Sequence, residues 1–264
     1  MPFVEVAGQR LFYDSPHLLT SATPGARILL LHGTGVDHRL FDEQLRFFSA
    51  AHTPIALDLP GHGRSEGEAQ EAVEGYRPII EGFVRALRLA PVVLCGHALG
   101  AAIALDYAAQ HQREIEGLVL ADMGITFPTG VEDAKEFTSD PEGYRRRRAR
   151  RGLREEALEP VAEKLATARG ETSNQSYLRD LVASSRWDGT EALRQVHMPA
   201  LIVFGEDDAL LEQAGRLLEL MPHASFDTIP LARHFPHLEA PDIFNDGLNR
   251  FLTLISDLAP ASNE

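Results

Sequence analysis

Two glycines bracket a short turn after an apolar run in the segment Gly96-His97-Ala98-Leu99-Gly100. The run before it has the composition of a buried strand, and the small residues after it favour a helix that lies close to a sheet. This layout holds its middle residue on a strained strand-to-helix turn, where a side chain can act as a nucleophile. The middle residue is Ala98, which carries no nucleophilic atom. The segment therefore predicts a nucleophile position that is filled by alanine.

Two more glycine-containing turns follow apolar runs nearer the start of the chain, at Leu30–Gly35 and Asp58–Ser65. A glycine-rich turn at the end of a strand can direct backbone N–H groups at a negatively charged oxygen. We expect Leu30–Gly35 to supply such a group. We interpret the histidines of these turns, His32 and His62, as hydrogen-bonding residues that hold the loops in shape.

Short apolar runs alternate with amphipathic stretches along the chain, which is typical of a mostly parallel sheet flanked by helices. The predicted strands are an opening hairpin, Phe3–Val6 and Arg10–Tyr13, and then Arg27–Leu31, Pro54–Leu57, Val92–Cys95, Leu118–Ala121, Ala200–Phe204 and Ser225–Ile229. The predicted helices are Leu40–Ser49, Ala72–Leu87, Leu99–Gln110, Leu210–Leu220 and Pro241–Leu254.

The stretch from Ile125 to Thr190 breaks this alternation, because it has helical patterns and no convincing strand. It contains 12 acidic and 12 basic residues, so the net charge of the chain arises outside it. An insertion after the carboxyl end of a strand lies above the place where open α/β sheets bind ligands. We therefore predict a helical lid.

The three turns, in this order and at predicted strand ends, resemble those of the α/β-hydrolase family over about residues 26–255, the insertion excepted. The resemblance implies an α/β fold with a mostly parallel eight-stranded sheet flanked by helices. The core would comprise residues 1–124 and 191–264. The helical lid would comprise residues 125–190, inserted after the sixth strand.

The resemblance also implies a catalytic triad in the chain order nucleophile, acid, histidine. The family pattern after the strand at Leu201 places the acid at Asp208, with Asp207 as a competitor. The histidine position is matched by His234, with His237 as the next candidate. In such a triad the imidazole takes a proton from the nucleophile, and the acid orients and stabilises the ring.

An oxyanion hole is implied as well, formed by the backbone N–H of Leu99 together with that of Thr34 or Gly35. Candidate substrate contacts are His97, Met123, Tyr144, Trp187 and Phe235. Neither a cofactor nor a metal site is implied, since His-Glu-x-x-His and paired-cysteine spacings are absent from the sequence.

The implied activity is hydrolysis of a carboxylic ester or thioester, although similar relatives cleave lactones, amides or carbon–carbon bonds. Three explanations of Ala98 remain open. It is a serine-to-alanine substitution that traps a substrate or product, or a natural alanine beside a His–Asp pair that transfers protons alone. In the third explanation the chain is a binding protein that has lost catalysis.

The composition limits the classes of partner that the chain is expected to bind. The chain has 264 residues with 39 acidic and 25 basic side chains, a net charge of −14, which argues against nucleic acid and anionic membranes. The single cysteine, Cys95, allows no internal disulfide. No signal peptide or membrane-length apolar run is visible, so we expect a cytoplasmic monomer or homodimer that acts on a small molecule.

Six arginines cluster between Arg145 and Arg151. One interpretation is a solvated helix face that pairs with Glu142, Glu155 and Glu156. The other is an anion-binding surface on the lid, which would make the substrate anionic.

Overall fold

The computed structural model describes residues 3–17, 19, 25–170 and 172–258, with the side chains of residues 158–160 excepted. Residues 1–2, 18, 20–24 and 259–264 of the predicted core and residue 171 of the predicted lid lie outside the described residues. Within it, eight strands form one sheet. Their bounds are β1 Phe3–Val6, β2 Gln9–Asp14, β3 Arg27–Leu31, β4 Thr53–Leu57, β5 Val92–His97, β6 Ile115–Ala121, β7 Ala200–Gly205 and β8 Ser225–Ile229.

The strand order across the sheet is β1-β2-β4-β3-β5-β6-β7-β8. The first hairpin is antiparallel, and β2 joins β4 in the antiparallel sense. All other pairings are parallel. The predicted mostly parallel eight-stranded sheet is therefore confirmed. Its parallel strands place their carboxyl ends at one edge, where the turns after β3, β5 and β7 meet.

Helices cover both faces of this sheet. Their bounds are α1 Asp42–Phe48, α2 Arg77–Ala86, α3 Leu99–Gln110, α4 Val131–Ser139, α5 Pro141–Gly152, α6 Leu158–Arg169, α7 Asn174–Arg186, α8 Thr190–Gln195, α9 Ala214–Leu220, α10 Pro236–Glu239 and α11 Pro241–Leu258. Every residue of β4, β5 and β7 is buried, as expected for parallel strands that are covered on both sides.

Three of the predicted helices begin with a 3₁₀ turn instead of an α-helical one. These turns are His38–Phe41 before α1, Val73–Tyr76 before α2 and Ala209–Gln213 before α9. Hydrophobic spacing does not separate the two kinds of turn, because both place residues three apart on the same side. Each of these predicted ranges therefore contains its α-helix, but the α-helix begins later in the chain than predicted.

The chain between β6 and β7 is helical, from α4 to α8, with short 3₁₀ and loop connections. Three of its aromatic residues, Phe137, Tyr144 and Tyr177, pack with Leu181 in a small core of their own. Among the residues that the structure describes, no helix has the length and apolar character needed to cross a membrane.

Candidate active site

The turn between β5 and α3 has the geometry of a nucleophile elbow. Ala98 adopts φ +50° and ψ −114°, a conformation that is strained for a residue with a side chain. A Cβ atom on Gly96 would lie 2.3 Å from the Gly100 oxygen, and one on Gly100 would lie 2.1 Å from the Leu31 oxygen. The close packing of β5, α3 and β3 thus requires both glycines. The structure places alanine where this turn presents a side chain.

His234 lies in the loop after β8, and its Nδ1 atom is 3.0 Å from Oδ2 of Asp208. The other Asp208 oxygen accepts a hydrogen bond from the backbone N–H of Leu210. Burial would raise the pKa of Asp208, but the hydrogen bond and charge of His234 outweigh it, so the pKa is lowered. Asp208 is therefore an ionised partner that orients the imidazole ring.

The two competing residues have other surroundings. Asp207 lies 2.6 Å from a guanidinium nitrogen of Arg154 and forms an ion pair with it. His237 is fully buried, and burial lowers its pKa to about 3, so its ring is neutral. Neither ring nitrogen of His237 has a hydrogen-bond partner in the described part of the chain. The geometry thus groups His234 with Asp208.

The predicted oxyanion hole would draw on two backbone donors. The N–H groups of Thr34 and Leu99 carry no hydrogen bond within the described ranges, and both residues line the cavity beside Ala98. The N–H of Gly35 is already engaged, because it donates to Oδ2 of Asp180 at 2.8 Å. This corrects the alternative that Gly35 supplies the second donor, and Thr34 remains.

The cavity at this edge of the sheet has a volume of about 300 Å³. Six of the residues predicted for the site line it, namely Thr34, Ala98, Leu99, Tyr144, Asp208 and His234. Residues 127–129 and several residues of helix α5 also line it. The helical stretch between β6 and β7 therefore borders the same cavity as the predicted catalytic residues.

The other candidate substrate contacts lie elsewhere. His97 and Phe235 line only a second, much smaller cavity, which shares Thr34, Ala98 and His234 with the first. Met123 and Trp187 are buried in the main hydrophobic core and line neither of these two cavities.

His97 has a positioning role instead. Burial, followed by the charges of His237 and His234, lowers its pKa well below the usual range, so the ring is neutral. Its Nε2 atom lies 2.6 Å from the backbone oxygen of His234, to which it donates a hydrogen bond. His97 thus holds the loop that carries His234.

Sequence reasoning missed Asp122, which follows β6 directly and is fully buried. Its Oδ1 atom accepts a hydrogen bond from the backbone N–H of Gly205 at 2.9 Å. Burial, together with the charge of Asp208, raises the pKa of Asp122 well above its usual range. The neutral form of Asp122 is therefore favoured in the folded state, where its carboxyl group lies within 4.8 Å of that of Asp208. Its place at the end of a buried strand was the available signal.

Asp180 was also missed, and it lies on α7. Besides Gly35, its carboxylate accepts hydrogen bonds from His62 Nε2 at 2.9 Å and the Tyr76 hydroxyl at 3.2 Å. No local pattern indicates this contact, because Asp180 and Gly35 are 145 positions apart. His32 has its predicted structural role: Nδ1 donates to the Gly33 oxygen, and Nε2 accepts from the Leu59 N–H.

The arginine cluster divides between solvent and interior. Arg145 pairs with Glu142, and Arg147 pairs with Glu136 and Asp140. Arg148 and Arg151 line the main cavity. Glu156 pairs with Arg154 instead of the cluster. The solvated-face interpretation thus describes only part of the cluster.

Among the residues that the structure describes, two groups of side chains have donor atoms close enough to hold a metal ion, within 4.8 Å of one another. One is Asp122, Asp208 and His234, which the acid–base contacts above already account for. The other is Asp37, His38 and Asp58. There Arg39 engages the Asp37 carboxylate, while Asp58 accepts from His38 and from the Arg64 N–H. The potential ligand atoms of both clusters therefore take part in hydrogen bonds within the protein.

Comparisons with known proteins show which family and fold the chain shares. The chain is 27% identical to the 2-(acetamidomethylene)succinate hydrolase of Mesorhizobium japonicum, over 86% of this chain and 88% of that one. It is 28% identical to the pimeloyl-[acyl-carrier protein] methyl ester esterase of Xanthomonas oryzae pv. oryzae, over 88% and 96% of the two chains.

Solved structures share the fold. The enol-lactonase of Burkholderia xenovorans superposes with a TM-score of 0.85 at 22% identity, over 96% of this chain and 100% of that one. A thermophilic esterase of Thermogutta terrifontis superposes with a TM-score of 0.82 at 22% identity, over 96% and 97% of the chains. The sequence model of the alpha/beta hydrolase family matches residues 28–246, from β3 into α11. With its sheet and its turns, this match shows that the chain belongs to the alpha/beta hydrolase family.

Proposed function

We propose that this site is built to hydrolyse a carboxylic ester or thioester through an acyl-enzyme, and that Ala98 stands in place of the serine nucleophile. The observation that supports the proposal is the strained conformation of Ala98, at φ +50°, in the cavity that also contains His234. An alanine gains nothing from such strain, whereas a nucleophile there would be presented to substrate. The related hydrolases and esterases support hydrolysis as the reaction class.

With serine at position 98, the chemistry follows from the groups present. The hydroxyl oxygen attacks the substrate carbonyl while His234 takes its proton. The carbonyl oxygen becomes an oxyanion, which the N–H groups of Thr34 and Leu99 stabilise. His234 then returns the proton to the leaving alcohol or thiol. A water molecule, deprotonated by the same ring, releases the acid and regenerates the serine hydroxyl.

The helical stretch at 125–190 serves as the lid in this proposal. Tyr144 and Arg148 on α5 line the cavity opposite the catalytic turn. Excluding water from this cavity strengthens the hydrogen bonds to the developing oxyanion, because the surroundings become less polar. The lid also supplies the side chains that select the substrate. The core at 1–124 and 191–264 supplies the catalytic groups.

The Ala98→Ser variant tests the proposal against p-nitrophenyl esters of several acyl lengths. Loss of a triad serine costs roughly a millionfold in turnover, so we expect a gain of about four to six orders of magnitude. Adding His234→Ala to Ala98→Ser is the matched control and should remove most of the gain. No ester hydrolysis by Ala98→Ser at any acyl length would refute the proposed nucleophile position.

A second candidate function uses His234 without a nucleophile. Its Nε2 atom has no hydrogen-bond partner within the described ranges, and the ring faces the cavity. In this form His234 would act as a general base towards water or an acidic substrate proton. Activity of the Ala98 protein itself that His234→Ala abolishes, without a gain in Ala98→Ser, would support this candidate. Ligand binding without any turnover in either protein would identify a binding protein.

A further inference from the structure

Two guanidinium groups lie beside position 98 and have no carboxylate partner of their own among the described residues. Arg148 lines both the main cavity and the smaller one, and Arg169 lines the smaller one. Neither forms an ion pair with any acidic side chain in the part of the chain that the structure describes. The smaller cavity also borders Thr34, Ala98 and His234, so the two arginines adjoin the catalytic groups.

Both arginines have unmet hydrogen-bonding capacity. Arg148 donates from Nη1 to the Tyr144 hydroxyl at 3.2 Å. Arg169 donates from Nη1 to the backbone oxygen of Arg145 at 3.4 Å, and its Nε atom is buried without a partner. A guanidinium presents five N–H donors in a planar fork, so most of these donors remain available to a ligand.

The charge around the two arginines is unbalanced. Arg145 also lies here, with its guanidinium stacked 5.0 Å above the Tyr177 ring, and its ion pair is with Glu142. Asp133 also lies nearby and reaches Arg148 through the Tyr144 hydroxyl. Asp207 and Asp208 line the main cavity too, but they pair with Arg154 and His234. Burial, followed by the charges of Arg148 and Arg145, lowers the pKa of Arg169. Each carboxylate near Arg148 and Arg169 thus has another partner among the described residues, and an anion would compensate the charge of these two partly buried guanidiniums.

We propose that Arg148 and Arg169 form a carboxylate-binding subsite next to position 98, so that the preferred substrate is an acyl compound with a second, charged carboxylate. The smaller cavity, about 20 Å³, has room for one carboxylate oxygen between the two guanidiniums. Arg148 reaches from there into the main cavity, where the scissile carbonyl would lie. The proposal rests on the hydrolytic function proposed above and names its substrate class.

Direct binding tests the subsite without any chemistry. Succinate, glutarate and adipate, each beside its neutral diamide, are titrated into the Ala98 protein by calorimetry. We expect at least one dicarboxylate to bind, with its diamide about 10- to 100-fold weaker, since charge-assisted hydrogen bonds are the stronger ones. Arg148→Gln and Arg169→Gln should each weaken dicarboxylate binding by a similar factor of roughly 10.

The matched control is Arg146→Gln, on the same helix but exposed and outside both cavities. It should leave dicarboxylate binding unchanged. Arg148→Lys keeps the charge and loses the planar fork, so it should bind with intermediate affinity, and it replaces Arg148→Gln if that variant fails to fold. Equal binding of the dicarboxylates and the diamides, or an equal loss in Arg146→Gln, would overturn the proposal.

Measurements of turnover distinguish a failure of this proposal from a failure of the proposed hydrolytic function. In the Ala98→Ser variant, monomethyl succinate is compared with methyl succinamate, which is nearly isosteric and neutral. We expect a kcat/KM ratio of about 10 or more in favour of the charged ester, and this ratio should fall when Arg148→Gln is added. Arginine-dependent binding without hydrolysis would retain the subsite and reject the hydrolytic function. Hydrolysis with a kcat/KM ratio near unity would retain the hydrolytic function and reject the subsite.

Discussion

The Oδ2 atom of Asp180 lies 2.8 Å from the backbone nitrogen of Gly35. This contact joins helix α7 to the loop after β3, one residue beyond Thr34, the predicted oxyanion donor. The same carboxylate holds His62 and Tyr76, and all of these groups are buried. A single side chain from the helical stretch therefore anchors α7 to the loop that carries Thr34.

We expect Asp180→Ala to destabilise the protein strongly. The substitution leaves the Gly35 N–H without its acceptor and removes the carboxylate that pairs with His62. Removing one partner of a buried ion pair typically costs about 3–5 kcal/mol in the free energy of unfolding. Chemical denaturation measures this loss. Asp246→Ala, at an exposed position with no hydrogen bond or ion pair in the described part of the chain, is the control. A similar, small change in both variants would contradict the assigned role.

The pair of His62 and Asp180 also makes stability depend on pH. Burial lowers the pKa of His62, but the charge and hydrogen bond of Asp180 outweigh burial, and the pKa is raised. A folded-state pKa above the unfolded value means that the charged ring stabilises fully below about pH 6.5. This contribution is lost as the pH rises through the folded-state value. The stability difference between the protein and His62→Gln should therefore shrink as the solution becomes alkaline.

His52 supplies a control of opposite sign for the pH experiment. Burial lowers its pKa, so the neutral ring is favoured in the folded state. Its contribution is present above about pH 6.5 and is lost as the pH falls through the folded-state pKa. The difference between the protein and His52→Gln should thus shrink towards acid. The same trend in both histidine variants would show that the dependence comes from other groups.

The strands and the elbow were predictable because their signals are local. Buried parallel strands are near-continuous apolar runs, and the glycines at 96 and 100 are required by the turn between β5 and α3. Asp208 and His234 were reached through the family resemblance, since only their chain order is characteristic. The Asp180–Gly35 bond could not be foreseen, because it depends on how α7 packs on the sheet. That packing is why Gly35 was wrongly considered as an oxyanion donor.

The arginines that line the cavity could not be identified from the sequence, for a similar reason. A run of six arginines surrounds a helix on every side, so composition alone cannot identify those that face the cavity. Arg148 faces inward only because α5 packs through Tyr144 on the aromatic core of the helical stretch. Arg169 comes from the next helix, and no spacing in the sequence pairs the two.

Replacing Asp122 by asparagine should stabilise the protein increasingly as the pH rises. Because Asp122 keeps its proton in the folded state and loses it on unfolding, its contribution to stability falls above its unfolded pKa, about 3.9. Asparagine cannot titrate, but its side-chain oxygen can still accept the hydrogen bond from the Gly205 N–H. The advantage of Asp122→Asn should grow by up to about 1.4 kcal/mol per pH unit until the folded-state pKa is reached.

Asp122→Ala is the matched control for this measurement, because it removes the same titration and also leaves the Gly205 N–H unpaired. Its stability should follow the same pH trend, about 1–3 kcal/mol below that of Asp122→Asn throughout. Denaturant unfolding over a range of pH measures all three proteins. A constant difference between Asp122→Asn and the parent at every pH would mean that the carboxyl is ionised in the folded state.

The strain at Ala98 can be measured in the same way. Non-glycine residues held at positive φ cost of order 1–3 kcal/mol, while glycine costs only about 0.5–1 kcal/mol in additional chain entropy. We therefore expect Ala98→Gly to increase the free energy of unfolding by about 1 kcal/mol. Ala104→Gly, in the interior of α3, should decrease it by about 1 kcal/mol or more, since glycine lowers helix stability and a buried methyl is lost. A gain of stability in Ala98→Gly and a loss in Ala104→Gly would show that the turn at Ala98 is strained. Such strain is expected where a turn presents a catalytic side chain. A loss of stability in both variants would show that the turn is relaxed around alanine, and the argument for a missing nucleophile would lose its physical basis.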